Sequence, residues 1–280
     1  MKDLFYTVHS GSWKERRHAI EEIDELIEER ALTRDDTRYF LKLLESPDSS
    51  VRDFAWRWIL SLIDMGLITR DDSGFFLGLL ESDDEFVRLD AWENIGYLYD
   101  NIVTPEEVKK RKHFFLELLE SKYVVRIRKR AWQHVHGLID QGWVTPDEVK
   151  ERKRFLFELL ESPDRDVESR AWSSARALID MGLITRDDSG FFLGLLESVN
   201  MPVSLNAWGY IGYLVSKGIV TPEEVKERSY YFLELLESSH VRVKRKAWEI
   251  AGALIGKGII AREILCGGLT DWGAKGRTRR

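Results

Sequence analysis

Six histidines, one cysteine and 48 acidic residues are the raw material for chemistry in this chain of 280 residues. They form no metal or nucleotide motif: there is no C-x-x-C, no H-E-x-x-H and no P-loop. His134 and His136 look like a pair, but residues two apart on a helix point roughly 200° apart and cannot share a metal. They read as one solvated and one semi-buried histidine. The acid pairs Asp71-Asp72, Asp83-Asp84 and Asp187-Asp188 have the residue types of acid–base catalysis. Each stands where a helix begins, however, and there an acid favours the helix dipole. Asp71-Asp72-Ser73-Gly74 has the look of a hydrolase serine loop. It recurs at 187–190 and lacks the preceding strand that a nucleophile elbow needs. The chain is therefore expected to be no enzyme, with no catalytic residue, no metal and no cofactor.

Two other constellations suit binding. Trp58, Tyr97, His134, Arg170, Tyr210 and Tyr213 share one helical side, and Trp, Tyr and Arg are the types enriched at interaction hot spots. Lys109, Lys110, Arg111 and Lys112 recur one repeat later as Lys150, Arg152, Lys153 and Arg154. Residues 109–154 carry thirteen Lys/Arg against six Asp/Glu in a chain whose net charge is −6. Such a basic ridge, joined by Arg126, Arg128 and Arg130, has the chemistry to hold phosphates.

The elements that position these residues are written repeatedly. Residues 65–82, MGLITRDDSGFFLGLLES, return unchanged at 181–198. Ala-Trp recurs at 55, 91, 131, 171, 207 and 247, and Leu-Leu-Glu-Ser runs recur ahead of it. A weaker first copy ends at Ala19-Ile20. Apolar residues fall at −4, 0, +1, +4, +7 and +8 from each Ala, a buried stripe of ~140° on an amphipathic helix. Gly66, Gly142, Gly182 and Gly218 stop such helices, and Asn101 stands in once. Thr69, Thr104, Thr145 and Thr221, each followed by acids, start the next helix as capping boxes. Units of the longer kind carry four extra residues, about one helical turn. Glu107–Arg111, Glu148–Arg152 and Glu224–Arg228 are the i,i+4 pairs expected to support it. Three units, roughly 39–154, have been duplicated as a block into 155–270. The six aligned Trp residues are expected to wedge between neighbouring units.

Composition limits the setting. Abundant Glu, Lys and Arg with only two Gln is the drift of hyperthermophile proteins. A lone Cys266 suits a reducing cytoplasm. No basic-then-apolar leader opens the sequence, and no apolar run reaches the ~18 residues of a membrane helix. A soluble, cytoplasmic chain with no membrane partner is expected.

The pattern Asp48-x-x-Val51-Arg52-x-x-Ala55, repeated as Asp84-x-x-Val87-Arg88-x-x-Ala91, resembles the HEAT and HEAT-like repeat over about residues 10–265. The resemblance implies an all-α, right-handed α–α superhelix of about seven helix pairs. The units would be about 3–33, 34–69, 70–104, 105–145, 146–185, 186–221 and 222–261, one array over 1–266. A Gly-rich basic tail, 267–280, is expected to be flexible or to cap the last repeat through Trp272. In that family the Asp and Arg positions bond between neighbours. Here Glu168 and Ser204 replace the Arg, Lys244 substitutes for it, and Val124, Asn200 and His240 replace the Asp. The resemblance also implies a scaffold whose second helices line a concave surface. A protein or peptide partner is then expected on Trp58, Tyr97, His134, Arg170, Tyr210 and Tyr213. The alternative is nucleic acid on the basic ridge. Some HEAT-like proteins are DNA glycosylases, but their aromatic and acidic residues map to no positions here.

Overall fold

The chain is described by a computed structural model covering residues 2–99, 101–122 and 125–260. It is all-helical, with no β-strand among the described residues. The C-terminal tail 267–280, expected to be flexible or to cap the last repeat, and Val124 lie outside the described residues. Packing divides the chain into two compact units, residues 1–145 and 146–280. The division falls between the fourth and fifth sequence repeats.

In the first unit, α1 (Lys2–Ser10) pairs with α2 (Trp13–Glu28), α3 (Thr37–Leu43) with α4 (Ser49–Asp64), and α5 (Ser73–Leu80) with α6 (Glu85–Leu98). The short α7 (Pro105–Lys109) leads into α8 (Lys112–Leu119), which pairs with α9 (Val125–Asp140). In the second unit, α10 (Pro146–Lys150) leads into α11 (Lys153–Leu160), which pairs with α12 (Arg165–Asp180). Then α13 (Ser189–Leu196) pairs with α14 (Met201–Ser216). Finally α15 (Pro222–Glu227) leads into α16 (Ser229–Leu236), which pairs with α17 (Val241–Gly256). Second helices also touch in order, α2 on α4, α4 on α6 and α6 on α9, and in the second unit α14 on α17.

Local chemistry sets the ends. Gly66, Gly142, Gly182 and Gly218 all have φ near +70°. At the first, Gly66 N–H donates to Ile63 O at 2.9 Å and Leu67 N–H to Leu62 O at 2.9 Å, which is the Schellman closure. Asn101 does not terminate its helix, because α6 has already ended at Leu98, with Tyr99 extended at ψ 142°. The boxes at Thr69, Thr104 and Thr221 form as expected: Thr69 N–H donates to Asp72 Oδ2 at 2.9 Å and Thr221 N–H to Glu224 Oε2 at 2.8 Å.

The first helices differ from expectation. The four extra residues do not lengthen one continuous helix. They make α7, α10 and α15, each separated from the helix that follows. At this joint Arg111 N–H bonds Val108 O, and Phe114 N–H bonds Arg111 O, both three residues back. Arg111 Nη1 also takes Glu107 O, at 3.0 Å. Its Nε lies 2.5 Å from Glu81 Oε1 of the preceding unit. Likewise Arg228 reaches Glu197 at 2.8 Å. The side chains of Glu107 and Glu224 turn instead to Arg70 and Arg186. The expected i,i+4 side-chain pairs at these two places are replaced by contacts between neighbouring repeats of the same compact unit.

The core is held by the tryptophans. Trp56, Trp92, Trp132, Trp172 and Trp208 are at most 4% exposed. Each of four packs on a phenylalanine of the next first helix: Trp56 on Phe76 at 6.1 Å, Trp92 on Phe115 at 5.5 Å, Trp172 on Phe192 at 5.8 Å and Trp208 on Phe232 at 4.6 Å. Trp92, Trp132 and Trp208 donate their indole N–H to a leucine carbonyl of their own first helix. Trp248, in the last described pair, is 46% exposed. Trp208→Ala should therefore cost about 3–5 kcal/mol, as for a buried aromatic deleted from a core. Trp248→Ala should cost less than half as much. Urea unfolding of the two variants measures both, and equal losses would contradict the wedge.

Candidate partner-binding residues

The six aromatic and cationic residues expected on one open side do not share one environment. Trp58 is buried, 2% exposed. Its indole Nε1 donates to Asp24 Oδ1 of α2 at 2.6 Å, and its ring packs edge-on against Phe40 and stacks over Phe54. It is not available to a partner. Trp58 looks solvated on the wheel of an isolated helix. In the molecule it faces the neighbouring second helix α2, which a single-helix wheel does not contain.

The same lateral contact accounts for most of the others. Arg130 on α9 bonds Asp90 at 2.9 Å and Glu93 at 2.5 Å, both on α6. Exposed His134 places Nε2 3.2 Å from Glu93 Oε1. Burial works against ionisation of Glu93, but hydrogen bonds from His134 and Arg130 outweigh it and lower its pKa. His136 is exposed too, 3.6 Å from Asp140, so neither histidine is semi-buried. Tyr97 on α6 stands out, at 62% exposed.

In the second unit, half-buried Tyr210 stacks on Trp172 with centroids 4.3 Å apart and planes 9° apart. Tyr213 donates its hydroxyl to Asp180 Oδ1 at 2.9 Å, and the Arg176 guanidinium lies 4.8 Å from its ring centre. Arg170 is exposed, with Nε 2.9 Å from Asp166 Oδ1.

The basic residues divide in a similar way. Lys109, Lys110, Lys150 and Arg154 are exposed, while Arg111, Lys112, Arg152 and Lys153 are half-buried. Arg111 pairs with Glu81, Lys153 Nζ lies 2.6 Å from Asp188, and Arg152 Nη1 donates to Glu148 O at 2.8 Å. The Arg154 guanidinium sits 4.5 Å from the Phe155 ring centre. The two clusters belong to different compact units.

Several features were not anticipated from sequence. Arg34, Arg70 and Arg186, the first residues after a capping threonine, reach the capping acid of the next unit. Arg34 clasps Asp72 at 2.6 and 2.7 Å, and Arg186 clasps Glu224 at 2.7 and 2.6 Å. Arg70 bonds Glu107 at 2.7 Å. Each also donates to a backbone carbonyl of the intervening turn: Leu67, Ile102 or Ile219. Hydrogen bonds from these arginines and from the threonine N–H hold Glu107 and Glu224 down to about 2. The recurrence of Thr-Arg-Asp-Asp was the available signal. A groove of about 550 Å³ also opens beside the first helix pairs, lined by Trp13, Arg16, Arg17, Ile20, Glu21 and Phe54. Among the described residues no group of three or more His, Cys, Asp or Glu is placed to hold a metal. No helix there is long and apolar enough to cross a membrane.

The duplicated blocks fill one slot differently. In the first block, fully buried Arg52 bonds Asp90 Oδ2 at 2.5 Å and Ser46 O at 2.7 Å. Their counterparts 116 residues on are Glu168 and Asn206. Asn206 Nδ2 donates to Glu168 Oε2, and Oε1 has no hydrogen-bond partner. Burial pushes the Glu168 carboxyl up to about 7, offset only in part by Asn206, Trp172 and Arg165. The nearby Tyr210 phenol is neutral through this range. An acid whose pKa is raised on folding takes up a proton in the native state first, so stability falls as pH rises from about 4.5 to about 7. Above that window the ionised carboxylate costs on the order of 3 kcal/mol. Glu168→Gln should match the natural chain near pH ~4.5 and exceed it in urea midpoint at pH ~8. A parallel pH profile for the two proteins would contradict the burial.

No protein-family model matches the chain and no curated protein matches it, so the candidate residues stand on their own geometry.

Proposed function

We propose that the chain is a right-handed α-solenoid of seven HEAT-like helix pairs and a non-catalytic scaffold that binds a protein or peptide on its concave face. The observation that carries this reading is Tyr97. It is a large aromatic, 62% exposed, on a second helix whose lateral neighbours α4 and α9 are both in place. Folding has not covered it, and exposed aromatics of this kind serve as interaction anchors. His134 in the same unit is exposed and can add a polar contact; Arg170 is exposed in the second unit. Left-handed glycine stops, capping threonines and nearest-neighbour tryptophan contacts support the solenoid. The lone Cys266 favours a reducing cytoplasm as its setting.

A second reading, nucleic-acid binding, draws on exposed Lys109, Lys110, Lys150 and Arg154. It is weakened because Arg111 and Lys153 are already paired with acids.

The natural chain, immobilised, should retain a defined protein from a lysate of its own organism after nuclease treatment. Tyr97→Ala combined with His134→Ala should release that protein while the urea midpoint stays unchanged. Retention by the double variant as strong as by the natural chain would remove the aromatic face as the site. Retention that disappears with nuclease and falls steeply with salt, and is lost on Lys109→Glu with Lys110→Glu, would instead select the basic residues.

A further inference from the structure

The duplication contains one slot in two states. In the first unit Arg88, in the first turn of α6, is 8% exposed. Its Nη1 lies 3.5 Å from Glu117 Oε2 and its Nη2 4.0 Å from Glu85 Oε1. Its guanidinium carbon is 6.0 Å from the centre of the Phe114 ring. The Ser121 hydroxyl donates to Glu85 at 2.9 Å and closes the edge of the slot. Beside it runs the Glu81–Arg111 pair.

The second unit rebuilds the surroundings and leaves out the arginine. Ser204 stands in α14 where Arg88 stands in α6, and Tyr231 and Glu234 of α16 stand where Phe114 and Glu117 stand in α8. The flanking ion pair is kept as Glu197–Arg228, at 2.8 Å. Met201 replaces Glu85, and the Ser238 hydroxyl now lies 3.8 Å from the Met201 sulfur. Ser204 is buried and turns its hydroxyl back to Leu196 O at 2.8 Å, so it does not fill the slot. A cavity of about 150 Å³ remains, lined by Met201, Ser204, Tyr231, Glu234, Leu235 and Glu197. That is several times the ~10–15 Å³ a single water needs. Val199 at its rim is fully exposed and Glu234 is exposed, so the cavity opens to solvent. Glu197 is engaged by Arg228, whereas Glu234 has no ion-pair partner among the described residues.

We propose that this cavity binds the guanidinium group of an arginine side chain presented by a partner peptide. The molecule itself shows the fit, because Arg88 occupies the corresponding slot of the first unit. A guanidinium presents a flat face to the Tyr231 ring and N–H donors to the Glu234 carboxylate, and it is less strongly hydrated than an ammonium group. Met201 and Leu235 offer apolar wall to the methylene stem. The same acids repel the carboxylate of free arginine, which selects a side chain within a peptide. This site is independent of the aromatic face and stands or falls separately from the scaffold reading.

The test is a titration of full-length protein carrying methyl-labelled methionine with N-acetylarginine amide, following the Met201 methyl resonance. N-acetyllysine amide and free arginine are the comparison ligands. The expected result is a saturable shift with the arginine amide, and binding about tenfold weaker for each comparison ligand, or about 1.4 kcal/mol. Glu234→Gln should weaken binding by a similar factor. Ser204→Arg should abolish it, because the chain then supplies its own guanidinium, with a melting temperature at or above that of the natural protein. The proposal is overturned if the natural protein gives no saturable shift or if the lysine amide binds equally well. It is also overturned if Glu234→Gln binds like the natural protein. If Ser204→Arg does not fold, Glu234→Gln decides alone.

Discussion

The structure depends on one contact made again and again: a buried tryptophan seated on a phenylalanine of the next first helix. A helix pair of this length cannot cover its apolar side by itself, and within each compact unit such pairs complete their cores with side chains of a neighbour. The tryptophan is suited to this because one end of it is polar. Where its indole N–H reaches a leucine carbonyl of its own first helix, as in Trp92 and Trp208, the ring is fixed to one unit while its face serves the next. At the turns between pairs, Arg34, Arg70 and Arg186 join successive capping boxes. These exposed pairs add little energy singly, but they set the spacing of the turns they touch.

The duplication shows how freely the remaining positions can be rewritten. Arg52–Asp90 became Glu168–Asn206, a change from a buried ion pair to a buried acid with an amide partner. Trp58 with Asn94 became Ser174 with Tyr210, so the large side chain moved from one second helix to the next. In one copy it reaches back to Asp24, and in the other it stacks on Trp172.

Which parts were legible in the sequence follows from the range of the forces involved. Glycine stops, threonine caps and the buried stripe are set within one or two turns, and they stand where the sequence places them. Gly182, Thr221 and Trp208 are instances. The break between α7 and α8 was not legible, because it goes with a contact from Arg111 to Glu81 of the preceding repeat, far outside the turn itself. The cover over parts of the candidate face was illegible for the same reason. Trp58, Tyr210 and Arg130 lie opposite the buried arc of their own helices but against the flank of another, and a helical wheel has no flank. Tyr97 keeps its expected exposure, whereas its duplicate Tyr213 is pinned by Arg176 and Asp180, residues that the first copy does not match with both charges.

The verbatim copy Ser73–Leu80 and Ser189–Leu196 has a consequence for how the chain reaches this structure. Two identical helices carry no information about which partner each should join, and α6 and α14 offer both of them the same Ala-Trp. Recognition cannot sort them. Proximity does, since each lies only a few residues from its own second helix, and closing so short a loop is far less costly than closing one of over a hundred residues. Correct order is thus kept by tethering and by early local pairing, not by side-chain specificity. Two such chains at high concentration lose that protection, because a neighbouring molecule supplies an equally good copy. The feature that makes the chain easy to extend by duplication also exposes it to exchange of segments between molecules.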